Sequence, residues 1–190
     1  MSIGENLKRI AAWHDRNVEQ DYFFLAQGAS ESEFDALERT IGRRLPEDLR
    51  QSYLLHNGTG WIPEIGEIMP IGGVESIEST WRQYSSWQLE EGWGLGDDYK
   101  TEYIKGPIKP VWWNPLRIPV TTNGGGDPVM IDLDPAEGGI HGQVIRWGHE
   151  EGPREVLAPS WAEWLAAIAD DLEAGKYAFN GDEVLRVPQK

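Results

Sequence analysis

The run of three glycines between Asn123 and Asp127 makes the plainest chemical suggestion, because glycine-rich loops cradle phosphates. A cradle needs a helix opening directly after the loop, its free N–H groups facing the anion. Here Pro128 and a strand pattern follow, and no Lys or Ser/Thr stands at the required offset. The stretch is therefore expected to be a hairpin turn, with glycines supplying positive φ. Asp127, Asp132, Asp134 and Glu137 miss the spacing of a calcium loop, which sets ligands at alternate positions around a central Gly. Alternation along a strand instead puts Asp132 and Asp134 on one face, expected to be solvated. His14, His56, His141 and His149 show no metal-ligand spacing. His56 falls at a helix end, where an imidazolium suits the dipole. No Gly-x-Ser-x-Gly elbow is present. No metal, nucleotide or flavin cofactor is expected, and nothing in the residues argues for catalysis.

The ten Trp residues suggest recognition instead, since Trp is enriched at binding hot spots. Trp161 and Trp164 recur at helical spacing and are expected in a core. Trp61, Trp93, Trp112 and Trp113 stand among loop residues. Beside acidic neighbours such as Asp97 and Asp98 they fit aromatic anchors with a charged rim. The same rings would equally serve to cover a thin part of the core. The candidate partner-binding set is Trp61, Trp93, Asp97, Asp98, Trp112, Trp113, Asp132 and Asp134.

Charge bears on the kind of partner. With 17 basic and 32 acidic side chains the formal net charge is −15. Nucleic acid and anionic membrane surfaces are disfavoured, because both are held by Lys and Arg. A basic protein partner is favoured, since complementary fields speed encounter; acidity for solubility alone is the other reading. The absence of cysteine excludes disulfides and thiolate metal sites and fits a cytoplasmic protein. The first 17 residues carry no apolar run long enough for a signal peptide or membrane span.

The elements that must position these residues divide the chain into a helical half and a strand half. Leu7, Ile10, Ala11 and Val18 give a leading helix, and residues 21–25 form an apolar anchor behind it. Ser30 caps a second helix carrying Phe34, Leu37 and Ile41, stopped by Gly42. Leu45-Pro46 opens a third, with Leu49, Tyr53 and Leu54, ended by Asn57-Gly58. Val74, Ile77, Trp81 and Tyr84 give a fourth. Residues 90–113, rich in Gly, Pro and Trp, read as an insertion packed on something. From Leu116 the period becomes two. Strands are expected at 116–122, 129–134, 143–147 and 154–158, joined too briefly to be other than an antiparallel meander. Ser160 caps a closing helix across that sheet, and the tail has enough apolar residues to dock loosely or add an edge strand.

The order of these residues resembles a family. Glu33 to Leu37, then Gly42-Arg43-Arg44-Leu45-Pro46-Glu47-Asp48-Leu49, Tyr53 and Asn57-Gly58, is similar to the opening signature of the SUKH superfamily, the Smi/Knr-type proteins. Arg117 to Val120, Asn123 to Pro135, Gly142 to Trp147 and Ser160 to Leu165 follow in the order that family shows. The resemblance implies one α+β domain over residues 1–190, with a core of about 30–175: N-terminal helices packed on a mainly antiparallel meander and closed by a C-terminal helix. It also implies a non-catalytic binding protein. Bacterial members of the superfamily are often immunity proteins, so a basic toxin such as a nuclease is the expected partner. The alternatives are a regulator or scaffold of cell-wall assembly, as in fungi, and, from the Trp content, a carbohydrate-binding module.

Overall fold

A computed structural model describes residues 1–18, 23–63, 65–91, 103–181 and 184–188. Three helices open it, the first two with side-chain caps. In α1 (Ile3–Asn17) the Ser2 hydroxyl accepts the Glu5 N–H while the Glu5 carboxylate accepts the Ser2 N–H. The same reciprocal pair, Ser30 and Glu33, starts α2 (Glu31–Ile41), which stops at Gly42 in the left-handed region at φ 74°. α3 (Glu47–Leu55) follows Pro46. Arg50 ties the two together: its guanidinium pairs with Glu31 and Asp35 of α2 and lies 4.9 Å over the Phe34 ring. Leu49 faces the shared core and is 0% exposed.

Asp48 joins the two halves of the chain. Its Oδ1 accepts the Leu49 N–H and its Oδ2 accepts the Ala162 N–H, each at 2.9 Å. One carboxylate thus satisfies free N–H groups at the starts of two helices, α3 and α5 (Trp161–Glu173). α5 packs along α1, where Arg9 reaches Asp170 and Glu173 at 2.6 Å each.

The strand half forms the expected antiparallel meander. β3 (Arg117–Pro119), β5 (Val129–Asp132), β6 (Gln143–Gly148) and β7 (Gly152–Ala158) lie side by side in that order. A three-stranded sheet stands beside it, made of β1 (Trp61–Ile62), β2 (Gly66–Ile68) and β4 (Thr121–Thr122). The single strand expected over 116–122 is therefore two, belonging to different sheets. Val120 is the crossing point: its N–H donates to the Val129 carbonyl at 2.9 Å, and its carbonyl accepts the Met69 N–H at 3.0 Å. The tail makes a separate hairpin of β8 (Tyr177–Phe179) and β9 (Val184–Arg186).

Both faces of the four-stranded sheet are covered. Ile118, Ile131 and Val144 lie with α1, α2, α3 and α5 in one hydrophobic core. Met130, Ile145 and Trp147 point the other way, into a second core with Tyr84 of α4 (Ile77–Glu91) and with Ile108, Trp112 and Trp113. Burying a large apolar side chain contributes about 1.5–3 kcal/mol, so this smaller core is a substantial part of the fold. Its outer layer is the strap of residues 103–116, whose Lys105 bridges in parallel to Glu155 on β7. Helices on one face, a helix and strap on the other, and a closing C-terminal helix make this the α+β class expected from sequence.

Candidate binding site

In a meander alternate turns fall at the same end of the sheet, and two grooves lie at that end here. The turn between β4 and β5 is Asn123–Pro128, and it meets the β6–β7 turn at His149. Asp127 Oδ1 accepts the His149 backbone N–H at 3.0 Å and its ring Nδ1–H at 2.9 Å. Burial alone would push the Asp127 carboxyl up; the two His149 hydrogen bonds outweigh it and hold the group below the usual carboxylate range. Asn123 Oδ1 accepts the Gly125 and Asp127 N–H groups, shaping the turn from within.

The second core props both turns from below. Trp147 Nε1–H donates to the Trp112 carbonyl at 2.7 Å, and Trp112 Nε1–H to the His149 carbonyl at 2.8 Å. Tyr84 donates its hydroxyl to the Gly126 carbonyl at 3.0 Å. The Tyr84 and Trp147 rings lie 4.9 Å apart, and those of Trp112 and Trp147 5.1 Å, within the range where aromatic pairs attract. Burial, then the nearby Asp127 charge, pushes the Tyr84 phenol up to about 12, so it stays a donor.

The Asn123–Pro128 turn is a ridge between two grooves. One, of about 280 Å³, runs between the turn and α4 and is lined by Glu75, Ser79, Gln83 and Tyr84 on one side and by Thr122 and Asp127 on the other. The second, of about 300 Å³, lies toward β6 and β7, with Arg146, Glu151 and Arg154. Asp127 borders both. The carboxylate–imidazole pair orders the turn. Groups of three or more side chains able to hold a metal are absent among the described residues.

The described residues singled out from sequence do not form one exposed surface. Trp61 is exposed, at 43%, on the edge strand β1. Trp93, Asp97 and Asp98 lie outside the described residues, as does much of the 90–113 stretch. Trp112 and Trp113 are corrected: at 3% and 2% exposed they are core residues, packed on Trp147 and unable to present a ring to a partner or a sugar. The strap that holds them is pinned by Arg117, whose Nη1 and Nη2 donate to the Val111 and Lys109 carbonyls at 2.7 and 2.5 Å. Asp132 is corrected too. It is cross-strand partner to Arg117, 0% exposed, and accepts from Gln143 Nε2 at 3.1 Å, because the strap covers the face expected to meet solvent. Burial raises its carboxyl, against the opposing pull of the Arg117 charge. Asp134 is half-buried and engaged internally, accepting from Lys109 Nζ at 2.5 Å and Asn114 Nδ2 at 2.9 Å. His56 stands at the C-terminal end of α3, and its Nδ1–H donates to the Ala26 carbonyl at 2.9 Å. The grooves at Asp127 were not anticipated, although the shared end of alternate meander turns was a signal that could have found them.

N-terminal helices, a two-faced antiparallel sheet and a ridge with flanking grooves define an α+β domain. Comparison with known proteins narrows the class. The chain belongs to the SMI1 / KNR4 family (SUKH-1), whose model matches residues 28–167. It is 29% identical over 193 residues to the cell wall biosynthesis/cell cycle regulator smi1 of Schizosaccharomyces pombe, covering 95% of this chain and 38% of that protein. It is 23% identical over 214 residues to a glucan synthesis regulatory protein of Neurospora crassa, covering 95% of this chain and 40% of that one. Over 70 residues it is 36% identical to the cell wall assembly regulator SMI1 of Saccharomyces cerevisiae, covering 37% of this chain and 14% of that protein. The chain thus spans about two fifths or less of the length of these relatives. Among the described residues no helix is long and apolar enough to cross a membrane.

Proposed function

We propose that this chain is a non-catalytic protein-binding domain that regulates or scaffolds cell-wall assembly in the cytoplasm, with residues 1–190 forming a single SUKH-like unit. The observation that carries this reading is the family match over residues 28–167 together with relatives named as regulators of cell-wall and glucan synthesis. Those names favour regulation over toxin neutralisation. The burial of Trp112 and Trp113 takes two candidate rings out of reach of a sugar. The grooves at Asp127 and the net charge of −15 supply a recognition surface suited to basic partners.

The test is a chimaera. The matched stretch of the fission-yeast regulator is exchanged for this chain in cells lacking the native protein, and cell-wall glucan is measured. Restoration toward the wild-type wall is expected. A chimaera that accumulates normally yet leaves the wall as in cells without the regulator would overturn the reading.

A further inference from the structure

The groove between α4 and the Asn123–Pro128 turn carries two carboxylates with spare acceptor capacity. Asp127 gives Oδ1 to His149, while its Oδ2 receives no hydrogen bond among the described residues. Glu75, in the exposed segment leading into α4, makes no ion pair among the described residues. Ser79, Thr122 and Gln83 line the same groove. We propose that this groove takes an arginine or lysine side chain from an extended basic segment of a protein partner, with Asp127 and Glu75 receiving its charge from the two sides.

Three observations converge on that occupant. Carboxylates on both sides of a groove repel an anion and attract a cation. The volume, about 280 Å³, falls just below the range of about 300–1,000 Å³ usual for small-molecule sites and suits one side chain with its adjoining backbone. Val74, almost wholly exposed on the same rim, offers apolar contact to residues flanking the cation, which a free cation would leave unused. The Asp127 side of the site is also pre-formed. Tyr84 fixes the Gly126 carbonyl and His149 fixes the Asp127 carboxylate before any ligand arrives, so that side adds little ordering cost to binding. The net charge of −15 draws a basic segment toward the surface from a distance, and the groove selects where it docks.

The inference rests on the protein-binding reading but is tested separately. The full ¹⁵N-labelled chain is titrated with three probes: the peptide Ac-Ala-Ala-Ala-Arg-Ala-Ala-NH₂, the same peptide with citrulline for arginine, and arginine amide alone. Saturable amide shifts are expected at Ser79, Gln83, Gly124 and Asp127 with the arginine peptide. The citrulline peptide should give none, and arginine amide should bind more weakly. Glu75→Gln and Asp127→Asn should each weaken the arginine peptide by about three- to fivefold, the weight of a partly exposed ion pair. Glu75→Gln lies outside the His149 brace and decides the matter if Asp127→Asn loosens the turn. Shifts spread over other acidic faces such as Asp170 and Glu173, affinity indifferent to Glu75→Gln, or arginine amide binding as tightly as the peptide would each overturn the proposal. A failed titration leaves the chimaera result standing, and a failed chimaera leaves the groove standing.

Discussion

Asp127 and His149, 22 residues apart, share two hydrogen bonds to one carboxylate oxygen, so a pair of turns is locked by a single side chain. The bonds hold the folded Asp127 carboxyl low, and its stabilising effect is present above the ordinary carboxylate range and lost as pH falls through the folded value. His149→Ala removes the ring bond and keeps the backbone one. The Asp127 titration midpoint, followed by side-chain carboxyl ¹³C NMR, should rise toward the usual carboxylate range. An unmoved midpoint would show that the backbone bond alone sets it.

Truncating Trp112 should unfold before it unbinds. Its ring is packed between Tyr84 and Trp147, and Trp112→Ala should cost about 3–5 kcal/mol in a urea melt. Trp61→Ala, on an exposed edge, should cost less than 1 kcal/mol. Equal costs for the two would contradict the second core.

Leu49→Ala should lose about 2–5 kcal/mol, because Leu49 of α3 is wholly buried in the core shared with α2 and α5. Leu55→Ala, one helix end away and half exposed, is the control. Matching urea midpoints for the pair would mean that the α3 face is misassigned.

Asp48→Ala removes an acceptor from two helix starts at once. A single cap is worth about 1 kcal/mol, and the loss here should be at least that, read by thermal melting. Asp48→Asn, which keeps an acceptor oxygen, should recover part of it. A variant as stable as the parent would show that the α5 N-terminus does without the bond.

His14 sets an acid limit. Its ring is buried, stacked on Phe23 at 4.7 Å, with neither nitrogen hydrogen-bonded among the described residues, and burial pushes its pKa down to about 4 against an upward pull from Asp15. A depressed histidine contributes stability that is whole above its unfolded value near 6.5 and is lost as pH falls toward about 4. The loss amounts to about 3 kcal/mol at the acid end. His14→Phe should flatten the decline in melting temperature between pH 6.5 and 4. An identical pH profile in the variant would assign the decline elsewhere.

Much of the scaffold was legible because its signals are local. Ser30 with Glu33, Gly42 and Pro46 write the ends of α2 and α3 into consecutive residues, and alternation from Leu116 writes the meander. What periodicity states is which residues share a face, and what covers that face is a separate matter. Asp132 illustrates the gap. Its alternation with Asp134 was readable, but the strap above it is held by Arg117 through carbonyls at Lys109 and Val111, contacts that no spacing rule encodes. Trp112 and Trp113 sit among Gly and Pro and so read as loop; that such a loop packs on something was legible, and that it packs on Trp147 was not. The split at Val120 was hidden for a different reason: one strand pattern serves two sheets, and period two is blind to a change of partner.

Lys105 stands where β7 would otherwise end the sheet. Its N–H donates to the Arg154 carbonyl at 2.7 Å and its carbonyl accepts the Val156 N–H at 3.1 Å. An uncovered strand margin beside Val156 and Leu157 is the kind of surface on which separate molecules add strands and polymerise. Two main-chain bonds from Lys105 occupy that margin, and its ammonium, left in solvent, places a charge in the path of any incoming strand. The strap that roofs the aromatic core therefore also closes the sheet to self-templating, and loosening it would expose buried tryptophan and an adhesive edge in the same event.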